Sequence, residues 1–365
     1  MTHPRVSIVW LNYNSMRFSD IMIRSLESFL SLDYENYELI VVDNASTDGS
    51  LNLIKKFLDK NKPSNVKVKL VINDANLGYA GGMNRGWDAR DRESKYVVFA
   101  NNDFIAEPES LPRIIEFMED IDKIAAANGL LLLPDGKIYS VGGAVDESLN
   151  AIPIGNNMST AECSTINEPH AITYAEGTYY FVKADYVLKY GFAQKPFIDE
   201  IFLYWDDILL SLKLWNVGLA SYYVPVKAGV HYASLTTKQL GLIDYYAVRA
   251  RFIAHELVET RNELWKNTYI WKLKLVLPVL RKLGIKRYID AYKAIFDGLK
   301  TGKKLVKKFG RICLKKAPYI KTPLYISVLR AVLPTRTIKS ISKHAKITSH
   351  DALTKPHNIQ TNTIR

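Results

Sequence analysis

The sequence predicts an α/β protein built on a mainly parallel sheet, carrying a basic helical extension toward its C-terminal end. Three observations lead there. Short β-branched runs alternate with helical patterns through the first hundred residues. Each run closes on a cluster of Asn and Asp. Charge divides sharply along the 365 residues: positions 264–365 hold 24 Lys or Arg against three acids, a net of +21, whereas positions 1–263 hold 25 bases and 34 acids, a net of −9. A mildly acidic body joined to a basic extension suggests attachment to an anionic surface.

The elements follow in order. "VSIVWLN" (6–12) reads as a strand, Phe18 to Leu30 as a helix, "YELIVVD" (37–43) as a strand and Ser50 to Leu58 as a helix. "VKVKLVI" (66–72) is the third strand, a helix follows near Met83 to Ala89, and "YVVFA" (96–100) is the fourth strand. Runs that are apolar throughout suit strands covered on both faces, and the intervening helices make βαβ units whose right-handed crossovers set the strands side by side. Beyond them come the helix "SLPRIIEFMED", a polar loop at 150–170, the helix "YWDDILLSLKLWNVG" (204–218) capped by Gly218, and a strand through "SYYVPV" that reaches His231. From 241 the sequence is helical and rich in Tyr and Lys, with Tyr288, Ile289, Tyr292, Ile295, Phe296 and Leu299 on one face. After Pro334 periodicity fades, as expected of a flexible basic tail. The expected organisation is therefore an α/β domain over 1–240, a helical basic region over 241–330 that associates with membranes, and a tail over 331–365.

Several classes are disfavoured. Cys163 and Cys313 lack the spacing of a disulfide framework or a thiolate zinc site. The opening "MTHPRVSIVWLNYN" has one Arg and a run that soon turns polar, so no signal peptide is expected. The longest apolar stretch, "WKLKLVLPVLRKLGI" (271–285), is interrupted by four bases and a proline and falls short of a membrane span. An acidic body without a recognition motif argues against nucleic acid as a partner. Glycines 78, 81, 82 and 86 do not fit the dinucleotide fingerprint and follow the third strand rather than the first; they suggest a loop lying close to a ligand before its helix begins.

The polar clusters are Asn12-Tyr13-Asn14-Ser15, Asp43-Asn44-Ala45-Ser46, Asn73-Asp74-Ala75-Asn76 and Asn101-Asn102-Asp103. Ligands of open parallel sheets bind outside the carboxyl ends of the strands, so four such clusters point to one ligand crevice. Asn101 and Asp103 offer oxygens suited to Mg²⁺ or Mn²⁺ with positions left for phosphates, and the imidazole of His231 could complete such a site. Asp206 and Asp207 open a helix, where its dipole stabilises acids in any protein. Their neighbours Phe202, Tyr204 and Trp205 add a second reading, a sugar site with a general base.

Over residues 5–255 the order of "SIVWLNYN", "VVDNASTDGS", "NLGYAGGMNRG", "FANND", "EGTYYFVKADYV", "FLYWDDILLSLKLWNVG", "GVHYAS" and "YYAVRARF" resembles the GT-A glycosyltransferases of family 2, in particular the rhamnosyltransferase-like branch. The resemblance implies a Rossmann-like GT-A sheet with helices on both faces and a nucleotide-diphosphate sugar donor, UDP- or dTDP-linked. It also implies Mn²⁺ or Mg²⁺ and inversion at the anomeric carbon. By the same resemblance, Asn12, Asn14, Asp43, Asn76, Asn84, Asn102 and Arg249 bind the nucleotide sugar, and Asp103, Asn101 and His231 hold the metal. Asp207 is the base of an acidic pair with Asp206; that pair is Asp-Asp here instead of Glu-Asp, and Ala250 stands where the family has Asn after its Arg. The expected acceptor is a saccharide or lipid-linked saccharide met at the cytoplasmic face of an anionic membrane. The competing class is a non-catalytic nucleotide-sugar-binding or scaffold protein of the same fold.

Overall fold

A computed structural model describes residues 3–233, 235, 243–260 and 285–321. The predicted tail and the aromatic residues Trp265, Tyr269 and Trp271 lie outside the described residues.

The first half is built as the alternation predicts, with β1 (Val6–Asn12), α1 (Ser19–Leu30), β2 (Tyr37–Asp43), α2 (Ser50–Asn61), β3 (Lys67–Ile72), α3 (Gly78–Ala89) and β4 (Tyr96–Asn101). These strands lie in the order β3-β2-β1-β4, all parallel, with Asn12 opposite Asp43 in register. β5 (Phe104–Ala106), α4 (Ser110–Asp120), β6 (Ile124–Leu132), β7 (Ile138–Ser140), β8 (Gly143–Val145), β9 (Ala151–Pro153) and β10 (His170–Ala171) follow. Then come β11 (Tyr179–Lys183), α5 (Ala184–Tyr190), α6 (Asp206–Trp215) and β12 (Ala220–His231). β11 inserts antiparallel between β4 and β6, so the far half of the sheet is mixed.

Neighbouring residues on a strand serve opposite layers. Val9, Val42 and Phe99 pack with Ala80, Met83 and Trp87 of α3, while Ile8, Trp10 and Val41 pack with Met22, Leu26 and Phe29 of α1. Helices therefore cover both faces. The glycine-rich stretch departs from expectation, because the helix begins at Gly78 and takes the glycines into itself. A Cβ at Gly82 would meet Leu11 Cδ1 at 2.7 Å and one at Gly86 would meet Val9 Cγ1 at 2.1 Å, so these glycines let α3 lie close on the sheet.

The C-terminal part comprises α7 (Ile243–Leu257), β13 (Val258–Glu259), α8 (Ile285–Phe309) and β14 (Ile312–Cys313). α8 lies against α7 through Gly298 and Gly302; a Cβ at Gly298 would fall 2.6 Å from the Arg249 carbonyl oxygen and from Phe252 Cβ. The chain then returns to the body. Ile312, Leu314, Ala317 and Ile320 are buried in the same core as Leu209 and Leu212 of α6, and the Ile320 N–H donates to the Val145 carbonyl at 2.9 Å. Both cysteines are free, and no helix among the described residues is long and apolar enough to cross a membrane.

Candidate active site

The polar clusters at the strand ends first serve one another. Asn12 Nδ2 donates to Asp43 Oδ1 at 2.8 Å, and Asn12 Oδ1 accepts from Asn102 Nδ2 at 3.0 Å. Asp43 Oδ2 accepts the Ser46 N–H at 2.9 Å. Asn73 Nδ2 donates to Asn44 Oδ1 at 3.0 Å, and Asn44 Nδ2 donates to Asn76 Oδ1 at 2.9 Å. Asn14 Oδ1 accepts the Thr47 N–H at 2.8 Å. This amide network fixes the rim of a cavity of about 730 Å³ lined by Asn76, Asn101, Asn102, Asp103, Asp206, Asp207 and His231 together with Tyr13 and Asn44. A volume of that size suits a ligand such as a nucleotide sugar. Asn12, Asn14, Asp43, Asn84 and Arg249 do not line the cavity. Asn84 instead holds Phe197 O at 2.8 Å and Asp199 Oδ1 at 2.7 Å, bracing the segment that leads to α6.

At one corner β12 pairs antiparallel with β5, setting His231 opposite Phe104 and therefore beside Asp103. His231 Nε2 lies 3.2 Å from Asp103 Oδ1, both side chains buried. Nε2 has no other polar partner among the described residues. The Nδ1 atom sits 3.4 Å from Thr178 Oγ1, leaving Nε2 as the ring atom that faces the carboxylate. Burial opposes the charge on Asp103, but the imidazole and the Leu235 N–H hold its carboxyl below the usual range. A buried carboxylate 3.2 Å from a buried imidazole nitrogen, with Asn101 in the same wall, offers the oxygen and nitrogen donors that a divalent cation of the Mn²⁺ or Mg²⁺ kind takes. Asp103 and His231 make two such ligands, and no group of three or more His, Cys, Asp or Glu suited to a metal occurs among the described residues.

A second corner is formed by the start of α6. Phe202, Tyr204 and Trp205 adopt φ of +70°, +70° and +68°, positive values that bulky residues rarely take and that cost of order 1–3 kcal/mol each. Contact with α3 helps to hold this turn: a Cβ at Gly78 would fall 2.2 Å from the Phe202 carbonyl oxygen, which accepts the Ala80 N–H at 3.3 Å. The turn delivers Asp206 and Asp207 to the cavity. Asp207 Oδ2 accepts the Gly177 N–H and Oδ1 the Ile208 N–H, each at 2.8 Å. Burial lifts its carboxyl to about 6, with those bonds opposing the rise. Asp206 is pushed well above the carboxylate range by burial and by the neighbouring Asp207 charge, and its Oδ1 has no hydrogen-bond partner among the described residues. Of the two, Asp206 is the one held further toward its neutral form.

Two wall residues were missing from the sequence-based set. Glu176 lines the cavity and is raised to about 8 by burial and then by Asp207, against the hydrogen bond from Ser140 Oγ at 3.1 Å. It opens the "EGTYYFVKADYV" motif, a signal for the segment but not for the acid. Arg251 is the cation of the wall, with Nη2 donating to Ser148 O and Asn150 Oδ1 at 2.8 Å each. Two positions along a helix turn a side chain by about 200°. Arg249 accordingly faces elsewhere and donates to the Glu200 carbonyl at 2.8 Å, the Ile201 carbonyl at 3.1 Å and Thr301 Oγ1 at 3.3 Å.

A curled sheet with helices on both faces, and a cavity outside its strand ends, defines the GT-A class. Solved structures share the fold. A mannosyltransferase from Pyrobaculum calidifontis in complex with GDP-mannose and Mn²⁺ superposes with a TM-score of 0.50 at 15% identity over 94% of this chain and 80% of its own. GalNAc-T7 with UDP, GalNAc and Mn²⁺ does so with 0.56 at 14% identity over 84% and 58%. Residues 7–130 match the model of Glycosyl transferase family 2, so this segment carries the family's glycosyltransferase domain. An uncharacterised glycosyltransferase of Haemophilus influenzae is 30% identical over 35% of this chain and 37% of its own length. The minor teichoic acid biosynthesis protein GgaA of Bacillus subtilis is 24% identical over 80% of this chain and 62% of its own. The chain thus spans less than two thirds of either relative.

Proposed function

We propose that this protein is an inverting glycosyltransferase of the rhamnosyltransferase-like branch. It moves a sugar from a nucleotide-diphosphate donor, UDP- or dTDP-linked, to a hydroxyl of a saccharide or lipid-linked saccharide. The observation that carries the reading is the meeting, in one cavity, of the Asp103–His231 pair with the Asp206–Asp207 pair, whose Asp207 carboxylate is held by backbone N–H groups. Glycan-building relatives and Mn²⁺-bound nucleotide-sugar transferases of the same fold support it.

Asp103, Asn101 and His231 would hold Mn²⁺ or Mg²⁺, which when bound supplies positive charge against a departing diphosphate. Asn76 and Asn102 on the adjoining rim would bond the donor, while Asn12 and Asn14 keep that rim in shape and Asn84 braces the segment before α6. Asp207 takes the proton of the acceptor hydroxyl as its oxygen attacks the anomeric carbon from the face opposite the diphosphate, so one displacement inverts the configuration. The two backbone N–H groups on Asp207 fix its carboxylate in place. Burial and the Asp207 charge disfavour a second negative charge on Asp206. The enzyme works at the cytoplasmic face of an anionic membrane, where a lipid-linked acceptor is presented.

Asp207→Asn tests the reading. Transfer should fall by about 10² to 10⁴ while nucleoside-diphosphate affinity stays within a few-fold, because the change removes a base and keeps its volume. A larger loss from Asp206→Asn would reverse the roles within the pair. Nucleotide-sugar binding without transfer or hydrolysis in the unaltered protein would favour the non-catalytic class.

A further inference from the structure

α8 has two unlike sides. Ala294, Gly298, Gly302 and Leu305 are buried, with Gly298 and Gly302 packed against α7. On its outer side Ile289, Tyr292 and Phe296 are 55%, 59% and 63% exposed, the largest exposures of any big apolar side chain among the described residues. Their spacing of three and four places them on one stripe. Lys293, Lys300, Lys303, Lys304 and Lys307 continue the same exposed side, and none of them is in an ion pair among the described residues. Lys308 instead pairs with Glu200 at 3.6 Å, tying the helix to the body.

Apolar surface this exposed on adjoining turns costs free energy that one-sided burial would recover. A soluble acidic partner would match the lysines and leave the apolar stripe unexplained. A lipid surface meets both halves, because phenyl and phenol rings enter the headgroup boundary while ammonium groups meet anionic headgroups. Charge complementarity also sets the orientation: the net −9 of residues 1–263 is repelled by the surface that attracts the net +21 of residues 264–365.

We propose that the outer face of α8 docks the protein onto an anionic bilayer, with Ile289, Tyr292 and Phe296 inserted at the headgroup boundary and Lys293, Lys300, Lys303, Lys304 and Lys307 over the lipid phosphates. This names the surface for the membrane location suggested above, and it stands whether or not the cavity transfers sugar. The test is flotation of the full chain with vesicles of phosphatidylcholine alone or with about one third phosphatidylglycerol, at low and high salt. The chain should float only with the anionic vesicles at low salt. Replacing Lys300, Lys303, Lys304 and Lys307 by Gln should lower partitioning by roughly 600-fold, since each base near the surface contributes about fivefold. Tyr292→Ser with Phe296→Ser should lower it and make what remains wholly salt-sensitive. Circular dichroism and donor-nucleotide binding unchanged in both variants would confirm that folding and the cavity are intact. Flotation of both variants like the parent overturns the proposal, as does a parent chain that stays at the bottom. A change of oligomeric state in the serine variant without loss of flotation would assign the stripe to a second copy instead.

Discussion

Asp207 and Glu176 share a buried wall, and their shifts carry opposite consequences for rate and for stability. A base must be ionised to act, so transfer should decline below a pH of about 6 as Asp207 takes up a proton. A pH–rate profile of kcat/KM with its acidic limb near the ordinary carboxylate range would remove Asp207 from that role. Glu176 binds its proton more tightly in the folded chain, from the ordinary 4.5 to about 8. The stability it supplies is complete below about 4.5 and is lost as pH rises through about 8. Glu176→Gln cannot titrate, so its melting temperature should gain on the parent's across that window, as differential scanning calorimetry at several pH values would record. At the metal corner, Asp103→Ala should abolish the dependence of nucleoside-diphosphate affinity on Mn²⁺, with His231→Ala weaker in the same direction. Equal affinity with and without Mn²⁺ in both the parent and Asp103→Ala would reduce the Asn101–Asp103 segment to a turn. That Asp103, His231 and the Asp pair would line one cavity was legible from residue type and motif order. That the amides of Asn12 and Asn84 are spent on other side chains and backbone was not, because a side chain's bonding partner depends on which distant residue the fold brings near.

Helices and strands of the first half were readable almost to the residue, since β-branched runs covered on both faces leave no competing period. The α3 start was missed: four glycines signal a loop by propensity, and only contact with Leu11 and Val9 explains why small residues prevail within a helix. The turn at 202–205 left no signal at all, because nothing in Phe202, Tyr204 or Trp205 predicts a positive φ. Gly78→Ala should therefore be more damaging than an ordinary helix substitution; it meets the Phe202 backbone and forces a positive φ on an L residue. Its cost, about 1–3 kcal/mol in urea unfolding, should be accompanied by loss of transfer as Asp207 shifts. Leu314→Ala, outside the cavity, should cost about 2–5 kcal/mol. Its transfer rate per folded molecule should stay unchanged.

The molecule as a whole encloses its cavity with segments far apart in sequence: the amide rim and Asp103 come from the ends of the first four strands, Asp206 and Asp207 from α6, and Val248 and Arg251 from α7. Donor binding should therefore be felt throughout. A nucleoside diphosphate with Mn²⁺ at about a hundred times its dissociation constant should add about 2.7 kcal/mol to stability, and chelation of the ion should cancel most of that gain in a thermal-shift assay. A panel of nucleotide sugars in the same assay would rank the donors. The return of residues 312–320 to the core also bears on how the chain is made. Synthesis runs from the N-terminal end, so the flank of α6 that Leu314 and Ile320 cover is finished about a hundred residues before its cover exists. Until then a ribosome-bound chain presents a naked apolar surface, a natural client for a chaperone and a reason for any message truncated before codon 312 to yield a product destined for proteolysis.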